Sequence, residues 1–373
     1  MKPGTRTTPK SNSPAASLYG RLGRADARLK KSILARKVEQ LRIGRGAKVA
    51  DMVASMAGMS IQARNIGLCA EVLSGVYTDK ARPTVFLGLA GPLIAAGLRR
   101  VIRDLVAGGY VDVVVSTGAI LYQDIYQARG HGHYQGTPAA DDVALRRLRI
   151  DRIYDTYVDE EKFWDTDVWC GRMADRLPPG NYSSRAYLDF LGSQLSDGES
   201  IVATCHRLGV PMFSPAINDS SIGIGLTDHY HRCRTAGRPG IAIDSIRDNY
   251  ELAQIVLHSR KTAAFYVAGG VPKNYINDAI VMAYIFNQER GHDYAVQITT
   301  AVTQDGGLSG STLGEAQSWG KIRSRARFAM AWVEPSVSLP LLAGYVFDRF
   351  PAPARPRLKF TWEKDRLESL AAE

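Results

Sequence analysis

The chain has 373 residues, of which 45% are hydrophobic and 23% charged. This is an ordinary globular composition, which excludes a chain too polar to bury a core. The polar N-terminus lacks the apolar run of a signal peptide, and the longest apolar stretch, residues 85–98, is too short and too interrupted to span a bilayer. The four cysteines are far apart and form no CxxC pair. We therefore predict a cytoplasmic protein with no membrane segment.

The net charge of +10 is concentrated at the N-terminus. Of the 47 basic and 37 acidic residues, 12 and 2 lie in residues 1–45, so the rest of the chain carries 35 of each sign. We predict that residues 1–45 are a basic arm, disordered over 1–17 and helical over 18–43. The neutral body argues against nucleic-acid binding, except through this arm.

Six short apolar runs in the body predict strands, and helical patterns lie between them. The predicted strands are 84–91, 111–119, 210–219, 262–270, 294–301 and 328–334. The predicted helices are 93–106, 184–208, 245–259, 274–287 and 336–347. Continuously apolar strands indicate a parallel sheet buried on both faces. We predict an α/β fold with a doubly wound, Rossmann-like sheet in one domain, residues 46–350, followed by a C-terminal tail, residues 351–373.

The predicted strands end in small residues, such as Gly91, Thr117, Gly269 and Thr300. In doubly wound sheets ligands lie beyond the carboxyl ends of the strands, and helix N-termini there can hold phosphates. The small residues would let a nucleotide cofactor approach the backbone, but tight βα turns use the same residues. The first strand is not followed by GxGxxG, so the pattern alone leaves both interpretations open.

The glycine-rich segment 300–321, TAVTQDGGLSGSTLGEAQSWGK, is the richest in chemically useful side chains. A lysine nucleophile must be neutral although its reference pKa is about 10.4, and an apolar pocket lowers that value. Trp319, two residues before Lys321, could desolvate the amine and bind a cationic substrate, and Glu315 could anchor an ammonium group. Lys321 is therefore either a catalytic lysine or an ordinary surface lysine.

Two close histidine pairs raise the possibility of a metal centre, because zinc ligands often come in such pairs. They are His131 with His133, and His229 with His231. The pairs are distant in sequence, and no cysteine pair has ligand spacing. We therefore predict no metal site.

The segment EAQSWGKIR, residues 315–323, resembles the active-site lysine motif of the deoxyhypusine synthase family. The resemblance continues through YVAGGVPKNYINDA, DYAVQITTA and SPAINDSSIG, and through the run from VFLGLAGPL to VVVSTGA. It covers roughly residues 45–348 in order. Segments such as GGVPKN and DGGLSGSTLGEAQSWGK are similar to the bacterial branch of the family, which includes homospermidine synthases.

The resemblance implies a sequential reaction. NAD oxidises spermidine beside its secondary amine, 1,3-diaminopropane leaves, the aminobutyl fragment forms an imine with a lysine, and an acceptor amine takes the fragment. Lys321 would be that lysine, and Trp319 and Glu315 would line the polyamine slot. The positions matching NAD contacts of the family are Thr117, Asp219, Gly269, Gly270, Thr300, Ala301, Gly306, Ser309 and Glu334.

The chain departs from the family pattern at several substrate and cofactor positions. The usual His-His pair is Asn274 and Tyr275, and a usual glutamate is Gln123. Two usual aspartates are Ile224 and Leu308, and the usual TSN stretch reads Ala-Gly-Pro at residues 90–92. Asp278 lies one helical turn from Asn274 and could replace part of the lost negative charge in the substrate site.

We predict an NAD-dependent aminobutyl transferase that uses spermidine and a small acceptor amine, putrescine, to give homospermidine. The family resemblance implies a homotetramer with sites between paired subunits, and symmetric assembly is common among soluble oligomers. The alternative acceptors are a protein lysine and a specialised-metabolite amine. A different class of function is a relative that binds NAD or polyamine without turnover.

Overall fold

A computed structural model describes residues 22–351 and 355–372. The strands are β1 (Thr84–Leu89), β2 (Val113–Ser116), β3 (Tyr134–Gln135), β4 (Ile150–Ile153), β5 (Thr156–Asp159), β6 (Gly180–Tyr182), β7 (Met212–Phe213), β8 (Ile241–Ile243), β9 (Thr262–Val267), β10 (His292–Ile298), β11 (Ile322–Ala331), β12 (Leu358–Glu363) and β13 (Arg366–Ala372). The helices are α1 (Arg24–Ile33), α2 (Val49–Met56), α3 (Ile61–Thr78), α4 (Arg99–Ala107), α5 (Gly118–Ala128), α6 (Asp142–Arg147), α7 (Glu160–Ala174), α8 (Ser184–Ser193), α9 (Ile201–Leu208), α10 (Ser221–Thr235), α11 (Ser245–His258), α12 (Val271–Ile285), α13 (Leu313–Ser318) and α14 (Pro335–Arg349).

The main sheet has six parallel strands in the order β11-β10-β9-β1-β2-β7. Each of the six overlaps a predicted strand, and the doubly wound α/β fold is confirmed. The chain fills one half of the sheet, β1, β2 and β7, and then continues on the other side of β1 with β9, β10 and β11. The strand order therefore reverses between β1 and β9, and a crevice at the carboxyl ends of these two strands is the usual ligand site of such sheets.

Helices cover both faces of the sheet because the buried strands carry apolar side chains on both sides. In β1, Phe86 faces the core shared with α11 and α12, whereas Leu87 faces the larger core on the opposite side. Ile276 and Ile280, four residues apart on α12, pack in the same core as Phe86. This packing fixes α12 against the sheet beside the candidate active site.

Two predicted helices differ from the structure. Residues 184–208, predicted as one helix, form two helices, α8 and α9. The segment between them contains Gly198 and Ser200. Ser200 is the N-cap of α9, because its side chain accepts a hydrogen bond from the backbone N–H of Ala203. The helix predicted over residues 93–106 begins only at Arg99, because Gly97 has a φ of 84°, which is not a helical conformation.

The C-terminal segment, predicted as a tail, contains an antiparallel hairpin of β12 and β13. Leu367 of this hairpin is buried in the core beside α11. Gln254 of α11 donates to the carbonyl of Asp365 at 2.7 Å and accepts from the N–H of Leu367 at 2.9 Å. The Arg185 guanidinium lies 4.0 Å from the ring centroid of Trp362. These contacts attach the hairpin to the body.

In the N-terminal arm, α1 is shorter than the predicted helix over 18–43, and none of its residues is buried. The predicted disorder over 1–17 lies outside the described residues. Within the described part of the chain, every helix is too short or too polar to cross a membrane.

Candidate active site

Lys321 is positioned by a long excursion of the chain between two neighbouring strands. The chain leaves β10 at its carboxyl end, forms the glycine-rich loop and α13, and returns to begin β11 at Ile322. The backbone carbonyl of Lys321 accepts a hydrogen bond from the N–H of His292, the first residue of β10, at 3.0 Å. Lys321 therefore sits at the amino end of β11.

The Lys321 amine meets two polar side chains of α12. Its Nζ donates to Asn274 Oδ1 at 3.3 Å and lies 3.1 Å from Asp278 Oδ1. Asn274 Nδ2 in turn donates to Asp278 Oδ2 at 2.8 Å, which fixes both acceptors. Residues four apart on a helix share one face, so the two side chains form a single cradle for the amine. The side chain of Lys321 is 15% exposed, which leaves the amine accessible to a small molecule.

Trp319 and Glu315 complete the site. Lys321 Nζ lies 5.6 Å from the ring centroid of Trp319, within cation–π range. Glu315 stands in the first turn of α13, where it forms a capping box with Thr312. These residues line a cavity of about 280 Å³ with Asn274, Asn277, Gly306, Leu308, Ser311, Ala316 and Lys321. We call this cavity, with Asp278, the lysine pocket; its volume suits a small ligand better than a dinucleotide.

Two residues of the site were not predicted from the sequence. Lys273, the residue before Asn274, is 1% exposed, and its ammonium donates to Leu308 O, at 3.2 Å, and to Ser311 O, at 2.6 Å. Asn277 is buried and accepts a hydrogen bond from the hydroxyl of Tyr266 at 2.8 Å. Both lie on the face of α12 that carries Ile276 and Ile280, and this apolar periodicity is the signal that could have marked Lys273 as buried.

The predicted cofactor residues gather at the carboxyl edge of the sheet. Gly91 follows β1 with a φ of 86°, and Ala268 follows β9 with a φ of 62°. A Cβ placed on Gly269 would lie 2.5 Å from the Cα of Ser309, so the glycine permits the lysine loop to pack directly on the end of β9. Gln297 Nε2 joins the same two segments by donating to the carbonyls of Ala268 and Ser309, each at 2.9 Å.

Two of the helices that begin at this edge lack a side-chain cap and start within four residues of the strand before them. They are α5, whose N-cap is Thr117, and α12, whose N-cap is Gly270 with a φ of 78°. Their first backbone N–H groups are not satisfied by a capping side chain, in contrast to α13, which Thr312 caps. Helix N-termini of this kind bind anions, and phosphate groups in particular. They lie after β2 and β9, on either side of β1.

The other predicted cofactor positions differ in what their side chains do. Gln123 is buried, and its side-chain oxygen accepts from the backbone N–H of Ala95 at 3.2 Å, which supports the loop after β1. Asp219 and Thr300 are exposed, and Ala301 donates its N–H to Thr299 Oγ1 at 3.1 Å. Glu334 caps α14 through Ser336 and lines a second cavity, of about 740 Å³, separate from the lysine pocket.

The histidine pairs do not converge. His133 Nδ1 lies 2.8 Å from Gln127 Nε2, and burial, assisted by the positive charge of Arg99, lowers the pKa of His133 to about 4. His229 lies near Asp175 and Cys233, a set that we call the histidine cluster. His229 Nδ1 is 2.8 Å from Asp175 Oδ1, and its Nε2 accepts from the N–H of Ile241 at 3.1 Å. Both ring nitrogens therefore already have protein partners.

Comparison with known proteins identifies the family. The sequence profile of deoxyhypusine synthase matches residues 51–346. A deoxyhypusine synthase-like protein of Chlorobaculum parvum is 42% identical over 321 residues, which cover 84% of this chain and 90% of that protein. A deoxyhypusine synthase-like protein of Coxiella burnetii is 39% identical over 336 residues, covering 87% of this chain and 94% of that protein.

A solved structure agrees with the fold. It is the crystal structure of a protein from Entamoeba histolytica assigned as a deoxyhypusine synthase, with a TM-score of 0.57 and 18% sequence identity. The match covers 84% of this chain and 97% of the other. The profile and the sequence relatives show that the chain belongs to the deoxyhypusine synthase family, a membership that supports a transferase activity.

Proposed function

We propose that the protein transfers the aminobutyl group of spermidine, through an imine on Lys321, to a small amine. The observation that carries this proposal is the lysine pocket, where one amine is held between Asn274 and Asp278 and beside Trp319. A partly buried primary amine with an aromatic face and a carboxylate beside it is suited to covalent catalysis on a cationic substrate.

The side chains of the pocket have separate tasks in this reaction. Lys321 Nζ adds to the oxidised carbon of the donor, the bond to 1,3-diaminopropane breaks, and that diamine leaves with the electron pair and a proton. Asp278 is placed to accept and return the proton of the Lys321 amine, because the two groups are 3.1 Å apart. The acceptor amine then adds to the same carbon and releases Lys321 as a free amine.

Bound NAD would supply the redox chemistry, as the acceptor of a hydride from the donor carbon and as its source for reduction of the final imine. The carboxyl edge of the sheet fits this cofactor. Gly91 and Gly270 have positive φ angles that bring backbone close to the crevice, and α5 and α12 direct uncapped N–H groups toward it. Thr117, Ser309 and Glu334 would contact the dinucleotide at this edge.

We propose a small diamine, putrescine, as the acceptor. Among the described residues, Glu315 and Asp278 contribute the carboxylates of the pocket, and Asp278 is already paired with Lys321. Leu308, which replaces an aspartate of the family pattern, gives the wall an apolar surface. The small volume of the cavity and its few charges suit a short substrate with one free ammonium group at each end.

The test is to supply the enzyme with NAD, spermidine and isotope-labelled putrescine and to identify the products by mass spectrometry. Labelled homospermidine is the expected product. If labelled triamine is absent and a lysine-bearing protein or another amine gains the aminobutyl mass, the acceptor is wrong. If no spermidine is consumed at all, the protein is a binding relative and the proposed activity is wrong.

A protein lysine is the second candidate acceptor, and one observation favours it. Trp319 is 66% exposed, and Leu308, which lines the same pocket, also presents apolar surface. An exposed tryptophan at the mouth of a pocket is typical of surfaces that bind another protein.

The same exposed surface also fits a second copy of the chain. We propose that the protein is a homotetramer in which paired subunits cover the lysine pockets. Tyr284 and Ile285, at the end of α12, extend the apolar surface near Gly320. Light scattering at assay concentration should give a tetramer; a fully active monomer would contradict this assembly.

A further inference from the structure

The buried lysine of α12 has contacts that the proposed chemistry does not use. Lys273 is 1% exposed and stands in the first turn of α12, where the helix dipole disfavours a positive charge. A buried ammonium is costly unless hydrogen bonds satisfy it. Its Nζ has three acceptors in reach: Leu308 O at 3.2 Å, Ser311 O at 2.6 Å and Ser311 Oγ at 3.0 Å.

These acceptors belong to the segment that leads to Lys321. Ser311 directly precedes Thr312, the N-cap of α13, and α13 ends two residues before Gly320. The other end of the segment returns to the same helix, where Lys321 reaches Asn274 and Asp278. Helix α12 thus holds residues 308–321 at two points, one before α13 and one after it.

The two attachments share residues that are adjacent in sequence. Lys273 holds the loop, and Asn274, the next residue, holds the Lys321 amine. A shift of the loop away from Lys273 would therefore move α13, and with it Glu315 and Trp319, relative to the cradle formed by Asn274 and Asp278. The loop itself is not stiff, because it contains Gly306, Gly307 and Gly310, and glycine restricts the backbone less than any other residue.

We propose that Lys273 is a positioning residue that clamps the loop at Leu308 and Ser311 onto α12 and so places Lys321 for transfer; the catalytic part of this assignment rests on the proposed function. Burial lowers the pKa of Lys273 to about 8; Glu315 opposes this shift, and Lys321 reinforces it.

The proposal is tested first without turnover. Lys273→Met keeps the length of the side chain but removes its donors, so the amides of residues 302–320 should exchange hydrogen for deuterium at least about tenfold faster, while those of β1 and β2 stay unchanged. Lys261→Met is the matched control, because it also breaks a lysine contact, to Asp79 at 2.7 Å, but at the amino end of β9. Unchanged exchange in residues 302–320 would overturn the clamp.

Transfer activity supplies the second readout. With spermidine and NAD, Lys273→Met should lower kcat at least about tenfold with a smaller change in KM, since misplacing a catalytic group costs rate more than binding. Equal kcat in both lysine variants would contradict the positioning role. If the wild-type protein shows no transfer, the proposed function fails, but the exchange experiment still decides the clamp.

A milder variant covers the case in which Lys273→Met does not fold. Ser311→Ala removes one of the three acceptors and leaves both backbone carbonyls in place. It should raise exchange in the same peptides by a smaller factor. Exchange that rises across the whole protein, or not at all, would overturn the proposal.

Discussion

The lysine pocket and the histidine cluster are both polar groups held by helices, but they differ in how far their polar atoms are satisfied. In the pocket, Lys321 keeps a third N–H direction beyond its contacts with Asn274 and Asp278, and a cavity of about 280 Å³ lies beside it. In the cluster, both nitrogens of His229 have protein partners and its side chain is 2% exposed.

The charges of the histidine cluster also show that its polar groups are satisfied by protein partners. Burial alone would raise the pKa of Asp175, but hydrogen bonds from two arginines and from His229 outweigh it and lower the pKa to about 2. A carboxylate held so firmly in its charged form stabilises the fold and does not exchange protons near neutral pH. The comparison teaches that a constellation of reactive side chains becomes a candidate site only where the structure leaves a donor, an acceptor and space for a substrate.

The largest expected effect comes from removing the amine of the pocket. Lys321→Ala should lower transfer by at least about a thousandfold, because the imine can no longer form. The melting temperature and NAD binding should remain close to those of the wild type. Lys261→Ala, which removes a lysine that is paired with Asp79 and does not line the pocket, is the control in the product assay. Wild-type transfer rates in Lys321→Ala would show that the lysine pocket, like the histidine cluster, does not take part in the chemistry.

The opposite result is expected in the histidine cluster. His229→Ala should lower the free energy of unfolding by about 2–3 kcal/mol, since it leaves the buried N–H of Ile241 without its acceptor. Urea unfolding measures this loss, with the exposed neighbour His231→Ala as control. Transfer by the folded fraction should be unchanged. A cluster variant that unfolds normally but loses activity would show that this region takes part in the chemistry.

Substitution of Trp319, at the mouth of the lysine pocket, tests whether its ring contacts the substrate. Trp319→Leu removes the aromatic face but leaves apolar surface, so KM for spermidine should rise about tenfold, equal to ~1.4 kcal/mol. Steady-state kinetics separates this change in KM from a change in kcat. Trp164→Leu, at another exposed tryptophan outside the pocket, is the matched control. An unchanged KM would mean that the ring does not contact the substrate.

Asp248 provides an effect on stability that is graded with pH and small at each step of pH. Burial raises the pKa of this carboxyl to about 7, above its usual 3.8, although hydrogen bonds from Ser184 oppose the shift. Between about pH 4 and pH 7 the folded protein thus holds a proton that the unfolded chain has lost, so stability falls as the pH rises through this window, by at most about 1.4 kcal/mol per pH unit. Asp248→Asn should flatten this slope in urea unfolding, and exposed Glu363→Gln should not. An unchanged slope in Asp248→Asn would mean that Asp248 is charged in the folded protein.

Much of the sheet could be predicted because its strands carry a strong local signal. Runs such as TVFLGL in β1 and TAAFYV in β9 are buried along their full length, and continuous burial is what parallel strands require. The end of α8 was missed because the helical periodicity of the sequence continues into α9, whereas the separation of the two helices depends on the N-cap at Ser200. The C-terminal hairpin was missed because its stability depends on distant partners, Arg185 and Gln254, which local sequence does not reveal.

The lysine pocket was predicted in part, for a similar reason. Asn274 and Asp278 are four residues apart, so a helix brings them together, as the sequence predicts. Lys321 is at least 43 residues away in sequence, and its contact with them depends on tertiary packing. The contacts of Lys273 with the loop depend on tertiary packing and could be inferred only from its place in the apolar stripe of α12. The predicted roles of the cofactor positions remain predictions, since they come from the family resemblance.

The most direct measurement of the central claim is borohydride reduction of the protein during turnover with spermidine and NAD, followed by peptide mass spectrometry. Reduction converts an imine to a stable secondary amine, so the transferred fragment stays on the residue that carried it. We predict an aminobutyl adduct on Lys321, absent without NAD and absent in Lys321→Ala. Product formation with no adduct on Lys321, or with the adduct on Lys273 or another lysine, would contradict the account.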